Sequence, residues 1–172
     1  MSKLSEKRNI ILITALAGLI IYLLLMFAPF VADKSSEAGY FISMFATGYG
    51  LAFGMNLRVK SNLGGATETE KVPLDKIYIG FLFLFLIALI LIGILLLTMK
   101  FSKDGKKVFL LNAISTVLSL VMVIMTFCSG PMSGGGIGLG WGAIVGGLVL
   151  IVVFLATSLL SLFSYREEGL PF

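Results

Sequence analysis

The chain has no histidine, and it has a single cysteine, Cys128, among its 172 residues. An intramolecular disulfide needs two cysteines, so none can form, and metal sites built from cysteine and histidine are excluded as well. The cysteine stands near the end of a long apolar run, which predicts a small buried hydrophobic residue. A reactive thiol would need an electropositive neighbour, and the sequence supplies none beside it.

Charge is also scarce. Charged residues make up 13% of the chain and hydrophobic residues 58%, far from the balance of a soluble domain. Four runs carry no charge, and each exceeds the roughly 20 mostly apolar residues that a helix needs to cross a hydrocarbon core about 30 Å thick. These runs are Asn9–Ala32, Ile77–Met99, Val108–Ser129 and Trp141–Ser164.

The four runs predict an all-α integral membrane protein, folded as an antiparallel four-helix transmembrane bundle that forms one domain over residues 1–172. They leave one extramembrane segment of any size, an extracytoplasmic cap over Asp33–Lys76. A four-span plan with a larger first outer loop resembles that of claudins and other tetraspan proteins in outline. The tryptophan and cysteine pattern that marks claudins is missing from this segment, so the resemblance carries no functional residue over.

Lysine and arginine placement predicts the orientation in the membrane. With the N-terminus inside, eight of these residues fall on the cytoplasmic side and five on the outer side. The tight cluster within Lys100–Lys107 is the strongest pointer to the cytoplasm. The prediction is a multi-pass protein of the plasma membrane with both termini cytoplasmic. The net charge of +4 is read as an orientation signal, because no basic stripe with interleaved aromatic residues suggests a nucleic-acid partner.

A further uncharged stretch, Ala38–Leu57, leaves a five-span alternative open. It contains four glycines and several polar residues. If it crossed the membrane, the Lys100–Lys107 cluster would be driven outside and the count would become seven inside against six outside. Four spans are therefore preferred, with Tyr40–Met55 outside or in the outer interface.

This outer stretch has a four-residue periodicity that predicts a short interfacial helix. Its four glycines count against a very stable helix, so a partly extended fold is the alternative. Aromatic residues form one series and small residues a second series beside it. The helix would either pack over the ends of the spans or dock another protein or a lipid. Beyond it, Asn56–Lys76 allows a small β-hairpin around a turn at Gly64 and Gly65. The aromatic series is Phe41, Phe45, Tyr49 and Phe53, and the small series is Ala46, Gly50 and Gly54.

A second small-residue series precedes and enters the fourth span. Small residues every four positions let helix backbones approach closely in lipid, where association depends on packing. The contact is either internal or an interface with a partner or a second copy. The stretch lacks the Gly-Lys-Ser/Thr ending of a phosphate loop. The residues of this series are Gly134, Gly138, Gly142 and Gly146.

The spans contain no Asp, Glu, Lys, Arg or His, so embedded carboxylates for proton antiport or intramembrane hydrolysis are lacking. Asn112, Thr116 and Ser119 in the third span are mild polar groups. They predict bonds between helices, with the polar lining of a permeation path as the alternative.

Together these features favour a non-enzymatic accessory, assembly or interaction subunit without a cofactor or metal. Its partners would be the bilayer and either another membrane protein or a second copy of the chain, reached through glycine-lined helix faces and the outer cap. The alternative is an oligomeric transporter or channel subunit for a small solute. Asn112, Thr116 and Ser119 would then line the path.

Overall fold

The computed structural model describes residues 3–37, 40–53, 56–63, 66–73, 79–100, 105–129 and 138–168. The helices are α1 (Lys3–Leu25), α2 (Gly48–Phe53), α3 (Ile79–Lys100), α4 (Gly105–Phe127) and α5 (Trp141–Glu168). The strands are β1 (Pro29–Glu37), β2 (Tyr40–Thr47), β3 (Asn56–Leu63), β4 (Ala66–Pro73) and β5 (Gly138–Leu139).

Four helices, α1, α3, α4 and α5, are long and apolar enough to cross a membrane. The prediction of four apolar helices is therefore confirmed, and by length and composition the chain is a multi-pass membrane protein. The first helix ends at Leu25 and not at Ala32. Pro29 follows four residues later and begins β1. Proline cannot donate the backbone hydrogen bond that would continue the helix.

The surface of α4 shows why these helices suit lipid. Leu110, Val117 and Ile124 are 59%, 61% and 55% exposed, whereas Asn112 and Ser119 on the opposite face are fully buried. A helix with an apolar exposed face and a polar buried face is the reverse of a helix on the surface of a soluble domain. In a bilayer the same arrangement satisfies both faces, because polar side chains are costly against hydrocarbon.

The chain divides into two compact units. The helical unit comprises Met1–Tyr22, Leu86–Ile124 and Leu148–Phe172. Its buried apolar residues recur every three or four positions, as in Leu12, Ala15 and Leu19 of α1, which is the spacing of one helix face. The sheet unit comprises Leu23–Phe85 and Met125–Gly147. It contains the strands, α2, the last residues of α1 and α4, and the first residues of α3 and α5.

The sheet unit contains a five-stranded antiparallel sheet in the order β4-β3-β2-β1-β5. β1 and β2 are consecutive in the chain and pair with each other, as do β3 and β4. The allowed hairpin over Asn56–Lys76 is thus found as β3 and β4. The register shifts between Pro29 and Val31, which marks a bulge near the start of β1. β5 pairs through Leu139 with Val31 and through Gly138 with Ala32.

The prediction of a short interfacial helix over Tyr40–Met55 is wrong for most of its length. Tyr40–Thr47 is a strand with partners on both sides, and only Gly48–Phe53 is helical. Positions i and i+4 share one face in a strand as well as in a helix, so the four-residue spacing fits both. The backbone pairing with β1 and β3 decides for the strand, so the structure agrees with the partly extended alternative.

The five-span alternative is also wrong. Helix α2 has 6 residues and rises about 9 Å at 1.5 Å per residue, far short of a hydrocarbon core. Of the stretch over 38–57, the part that the structure describes contributes β2, α2 and the first residues of β3.

Candidate functional site

A polar contact joins α4 to α5 in the helical unit. The Asn112 Nδ2 donates hydrogen bonds to the Ser164 Oγ at 3.0 Å and to the Leu160 carbonyl oxygen at 3.4 Å. All three groups are in the buried part of the unit. The Asn112 Oδ1 is buried without a hydrogen-bond partner among the described residues. Half of this carboxamide therefore bridges two helices, and the other half holds an unused acceptor.

A second bridge lies two turns along α4. The hydroxyl oxygens of Ser119 and Thr157 are 3.1 Å apart and fully buried. Thr116 donates to the Asn112 carbonyl oxygen at 2.9 Å and so bonds its own helix. We define the α4–α5 seam as Asn112, Ser119, Thr157, Leu160 and Ser164. Its paired residues ascend along α4 as they descend along α5, so these helices run antiparallel where they meet.

The structure therefore places the three predicted polar residues on one helix but gives them different partners. Asn112 and Ser119 bond across to α5, while the hydrogen bond of Thr116 stays within α4. The prediction that they line a permeation path stays a prediction.

The glycine series of the fourth span begins as a strand and not as a helix. Gly138 lies in β5, and α5 begins only at Trp141; Gly134 lies outside the described residues. Gly138 thus lies before the helix, within the stretch predicted as a link, and it does not share one helix face with Gly142 and Gly146. The physical reason is the pairing of β5 with β1, which uses the backbone groups that a helix would need for itself.

Two glycines of this region stand against the end of α1. A methyl group at Gly142 would lie 2.9 Å from both the Ala28 Cβ and the Pro29 carbonyl oxygen, and one at Gly140 would overlap the Pro29 carbonyl. Since real Cβ atoms do not come so close to backbone, only glycine fits both positions without a shift. Gly146 is buried in α5. These residues serve internal packing in the sheet unit, and their use by a partner stays a prediction.

The small-residue series of the outer segment does not form one groove. Ala46 is a buried residue of β2, and Gly50 is buried in α2, while Gly54 lies outside the described residues. The predicted groove on a single helix is therefore wrong.

The aromatic series is also divided. Phe41 and Phe45 belong to β2, whereas Tyr49 and Phe53 belong to α2. The ring of Tyr49 lies 4.0 Å from that of Phe27 and 5.5 Å from that of Phe85, and Phe53 meets Phe85 edge to face at 5.3 Å.

Helix α2 is held in place at its start. The Gly50 amide donates to the Thr47 hydroxyl at 3.0 Å, as in a helix N-cap. The Tyr49 amide donates to the Met26 carbonyl oxygen at 3.1 Å, just beyond the end of α1. Burial raises the pKa of the Tyr49 hydroxyl above its usual value of 10.0. Helix α2 and its rings thus pack against the chain's own helix ends.

The register of the sheet places its basic and its acidic residues on opposite faces. Successive residues of a strand alternate between faces, and directly paired residues share a face. The register of β1 to β4 thus places every lysine and arginine of these strands on one face, which we call the basic face. The residues concerned are Lys34, Arg58, Lys60 and Lys71.

The opposite face, which we call the acidic face, holds every acidic residue of these strands. Two come from β1 and two from β4, the outer pair of the four long strands. At the helix end of this face, Val31 and Ala46 are 4% and 6% exposed. The basic face is more open at the same end, since Ala32 is half-buried and Gly138 exposed. The acidic residues are Asp33, Glu37, Glu68 and Glu70.

Neither face was predicted from the sequence, although a signal for them is present. Arg58 and Lys60 are two residues apart, as are Glu68 and Glu70, which is the spacing of one strand face. The pairing of the two strands could not be read from that spacing. Cys128 is exposed, so its prediction as a buried residue is wrong.

Among the described residues, no group of three histidine, cysteine, aspartate or glutamate side chains is placed to hold a metal ion. No protein family model matches the chain, and no curated protein matches it either. The features of the chain that bear on its function are therefore the α4–α5 seam, the internal packing and the sheet.

Proposed function

We propose that this chain is a non-enzymatic multi-pass membrane protein that serves as an accessory, assembly or interaction subunit. The five-stranded sheet is the surface that it offers to a partner, which is another membrane protein or a second copy of the chain. The observation that carries this proposal is the complete separation of charge between the two faces of β1 to β4. Opposite charge on two faces gives a surface electrostatic specificity for what it meets.

The proposed architecture is an antiparallel four-helix bundle in the plasma membrane with both termini cytoplasmic and the sheet outside. Its support is that the sheet unit contains the last residues of α1 and α4 together with the first residues of α3 and α5. Lys106 and Lys107 lie in the first turn of α4, at the opposite end of that helix from Phe127, and they support a cytoplasmic link between α3 and α4.

The test is purification of the C-terminally tagged chain from its native membrane in mild detergent, followed by mass spectrometry and native mass determination. We expect a stoichiometric companion, either a second protein or further copies of the chain. Replacing Asn56–Pro73 by a flexible linker of equal length should remove it, while the protein still inserts in the membrane. Undiminished association after this replacement would contradict the role given to the sheet.

A second candidate function is an oligomeric transporter or channel subunit for a small solute. The observation that favours it is the buried Asn112 Oδ1, an acceptor without a partner among the described residues. Flux of small solutes into vesicles holding the purified protein should then be lost in Asn112→Leu. It should persist in Thr98→Val, which removes a buried hydroxyl bonded only to its own helix at the Ile94 carbonyl oxygen. Equal flux in both variants would exclude a path through Asn112.

A further inference from the structure

We propose that the basic face of the sheet in one copy of the chain binds the acidic face of the sheet in a second copy. Copies then associate in the membrane through two different faces. This rests on the proposed function, because it takes the sheet to be the interaction surface, and it names the partner. Three features of the sheet support it.

The first feature is a pair of like charges that the fold places directly opposite each other. Arg58 and Lys71 are cross-strand partners, and Lys34 and Lys60 lie in one row with only Ser43 between them. Like charges opposite each other destabilise an isolated sheet. An anionic surface laid against these rows would turn that cost into attraction.

The second feature is the acidic face itself, which has the layout of a binding interface. The carboxylate residues occupy the outer strands β1 and β4, while Ile42, Met44 and Val59 occupy the inner strands on the same face. The basic face has Phe41 and Phe45 on β2 between its cationic residues. An apolar centre within a charged rim is typical of protein interfaces.

The third feature is the alignment of rows. A row is a set of residues that pair across neighbouring strands. The acidic row contains Asp33 and Glu70. One residue away along the strands, about 3.4 Å on either side, lie two basic rows, one with Arg58 and Lys71 and one with Lys34 and Lys60. A second sheet laid face to face in the same strand direction therefore brings its acidic row against a basic row with a shift of only one residue along the strands.

A membrane surface of anionic lipid is the other occupant that the basic face suits. It would leave the acidic face and its apolar centre without a role, whereas a second copy uses both faces at once. Contact between two different faces is heterologous, so the association closes into a ring or continues as a row.

The experiment uses full-length chains carrying two different C-terminal tags, co-expressed and extracted in lipid nanodiscs at low salt. Wild-type copies should capture each other. Capture should fall roughly tenfold in a basic-face variant (Arg58→Glu with Lys60→Glu) and in an acidic-face variant (Glu68→Lys with Glu70→Lys). The matched control, Arg58→Lys with Lys60→Arg, changes the same two side chains but keeps their charge, and it should capture like wild type.

Rescue decides the matter. The basic-face variant carries acidic residues on both faces and the acidic-face variant basic residues on both, so the two should capture each other when co-expressed. This also shows that both are folded. Failure of rescue, or undiminished capture by either variant, overturns the proposal. Loss of binding to anionic vesicles in the basic-face variant without rescue would assign that face to lipid. If rescue fails while both variants retain a different protein, self-association is rejected and the proposed function stands.

Discussion

At the scale of single residues, two glycines differ in whether the structure has space for a side chain at their position. Gly142 faces backbone atoms at the end of α1, whereas a methyl group at Gly93 in α3 would meet nothing within 4 Å. The two positions are both helical, so they separate close packing from the general effect of glycine on a helix.

We predict that Gly142→Ala lowers the free energy of unfolding by about 1–3 kcal/mol, the usual cost of overpacking. Gly93→Ala should cost nothing or add up to about 1 kcal/mol, because alanine favours helix. Detergent-solubilised protein would be unfolded by heat and followed by the fluorescence of the single tryptophan, Trp141. Equal stability of the two variants would contradict the close approach of α5 to the end of α1.

The α4–α5 seam makes a second prediction at this scale. We predict a coupling free energy of about 0.6–1.7 kcal/mol between Asn112→Ala and Ser164→Ala. This is the range found for hydrogen bonds between membrane helices. Thr98→Ala removes a hydroxyl that bonds the Ile94 carbonyl oxygen within α3, so it should show no coupling to Ser164→Ala. Double-mutant cycles of unfolding measure both. A coupling near zero for the first pair would mean that the carboxamide does not bridge the helices.

At the scale of elements, α2 depends on its aromatic contacts more than on its own length. A helix of 6 residues is too short to be stable alone in water. Its Thr47 cap and the contacts of Tyr49 and Phe53 with Phe27 and Phe85 therefore determine whether it forms.

We predict that Tyr49→Ala destabilises the protein by about 2 kcal/mol, while Tyr49→Phe is tolerated at neutral pH. Because burial raises the pKa of Tyr49 in the folded protein above 10.0, the unfolded chain loses this proton first as pH rises. The stability that the protonated Tyr49 hydroxyl contributes is therefore complete below pH 10. It is lost as the pH rises through the pKa of Tyr49 in the folded protein. Melting temperatures of wild type and Tyr49→Phe should therefore diverge above pH 10, with wild type falling faster. Parallel curves would contradict the burial of the hydroxyl.

The elements also show what could be predicted from the sequence. The four long helices followed from uncharged length alone, because the hydrocarbon core imposes one requirement on every span. The strand at Tyr40–Thr47 did not, because its four-residue spacing fits a strand face and a helix face equally well. Its partner β1 was hidden as well, since it begins at Pro29 inside an apolar run that was assigned to the first span.

The seam was half predicted for a similar reason. One helix face explains why Asn112 and Ser119 lie together, since they are seven residues apart. Their partners Ser164 and Thr157 depend on how α5 packs against α4, and nothing in the spacing of either helix specifies that alignment. The charge separation in the sheet has the same origin, because it exists only once the strands are paired.

At the scale of the whole molecule, the orientation in the membrane remains a prediction, and the chain holds its own probe. Cys128 is the only cysteine and is exposed at the end of α4. In the proposed orientation this end lies outside, together with the sheet. A thiol reagent that cannot cross membranes should label wild type in intact cells. Cys128→Ser should abolish the labelling.

A matched variant tests the other side of the membrane. Ser102→Cys on the Cys128→Ser background places the thiol in the link between α3 and α4, beside Lys103, and it should be labelled only after the membrane is opened. The reverse pattern would place the sheet in the cytoplasm, because Cys128 and β5 belong to the same sheet unit. That outcome would overturn the assignment of the termini but not the pairing of faces. The basic and acidic rows are fixed by strand register and would confront each other between copies on whichever side of the bilayer the sheet stands.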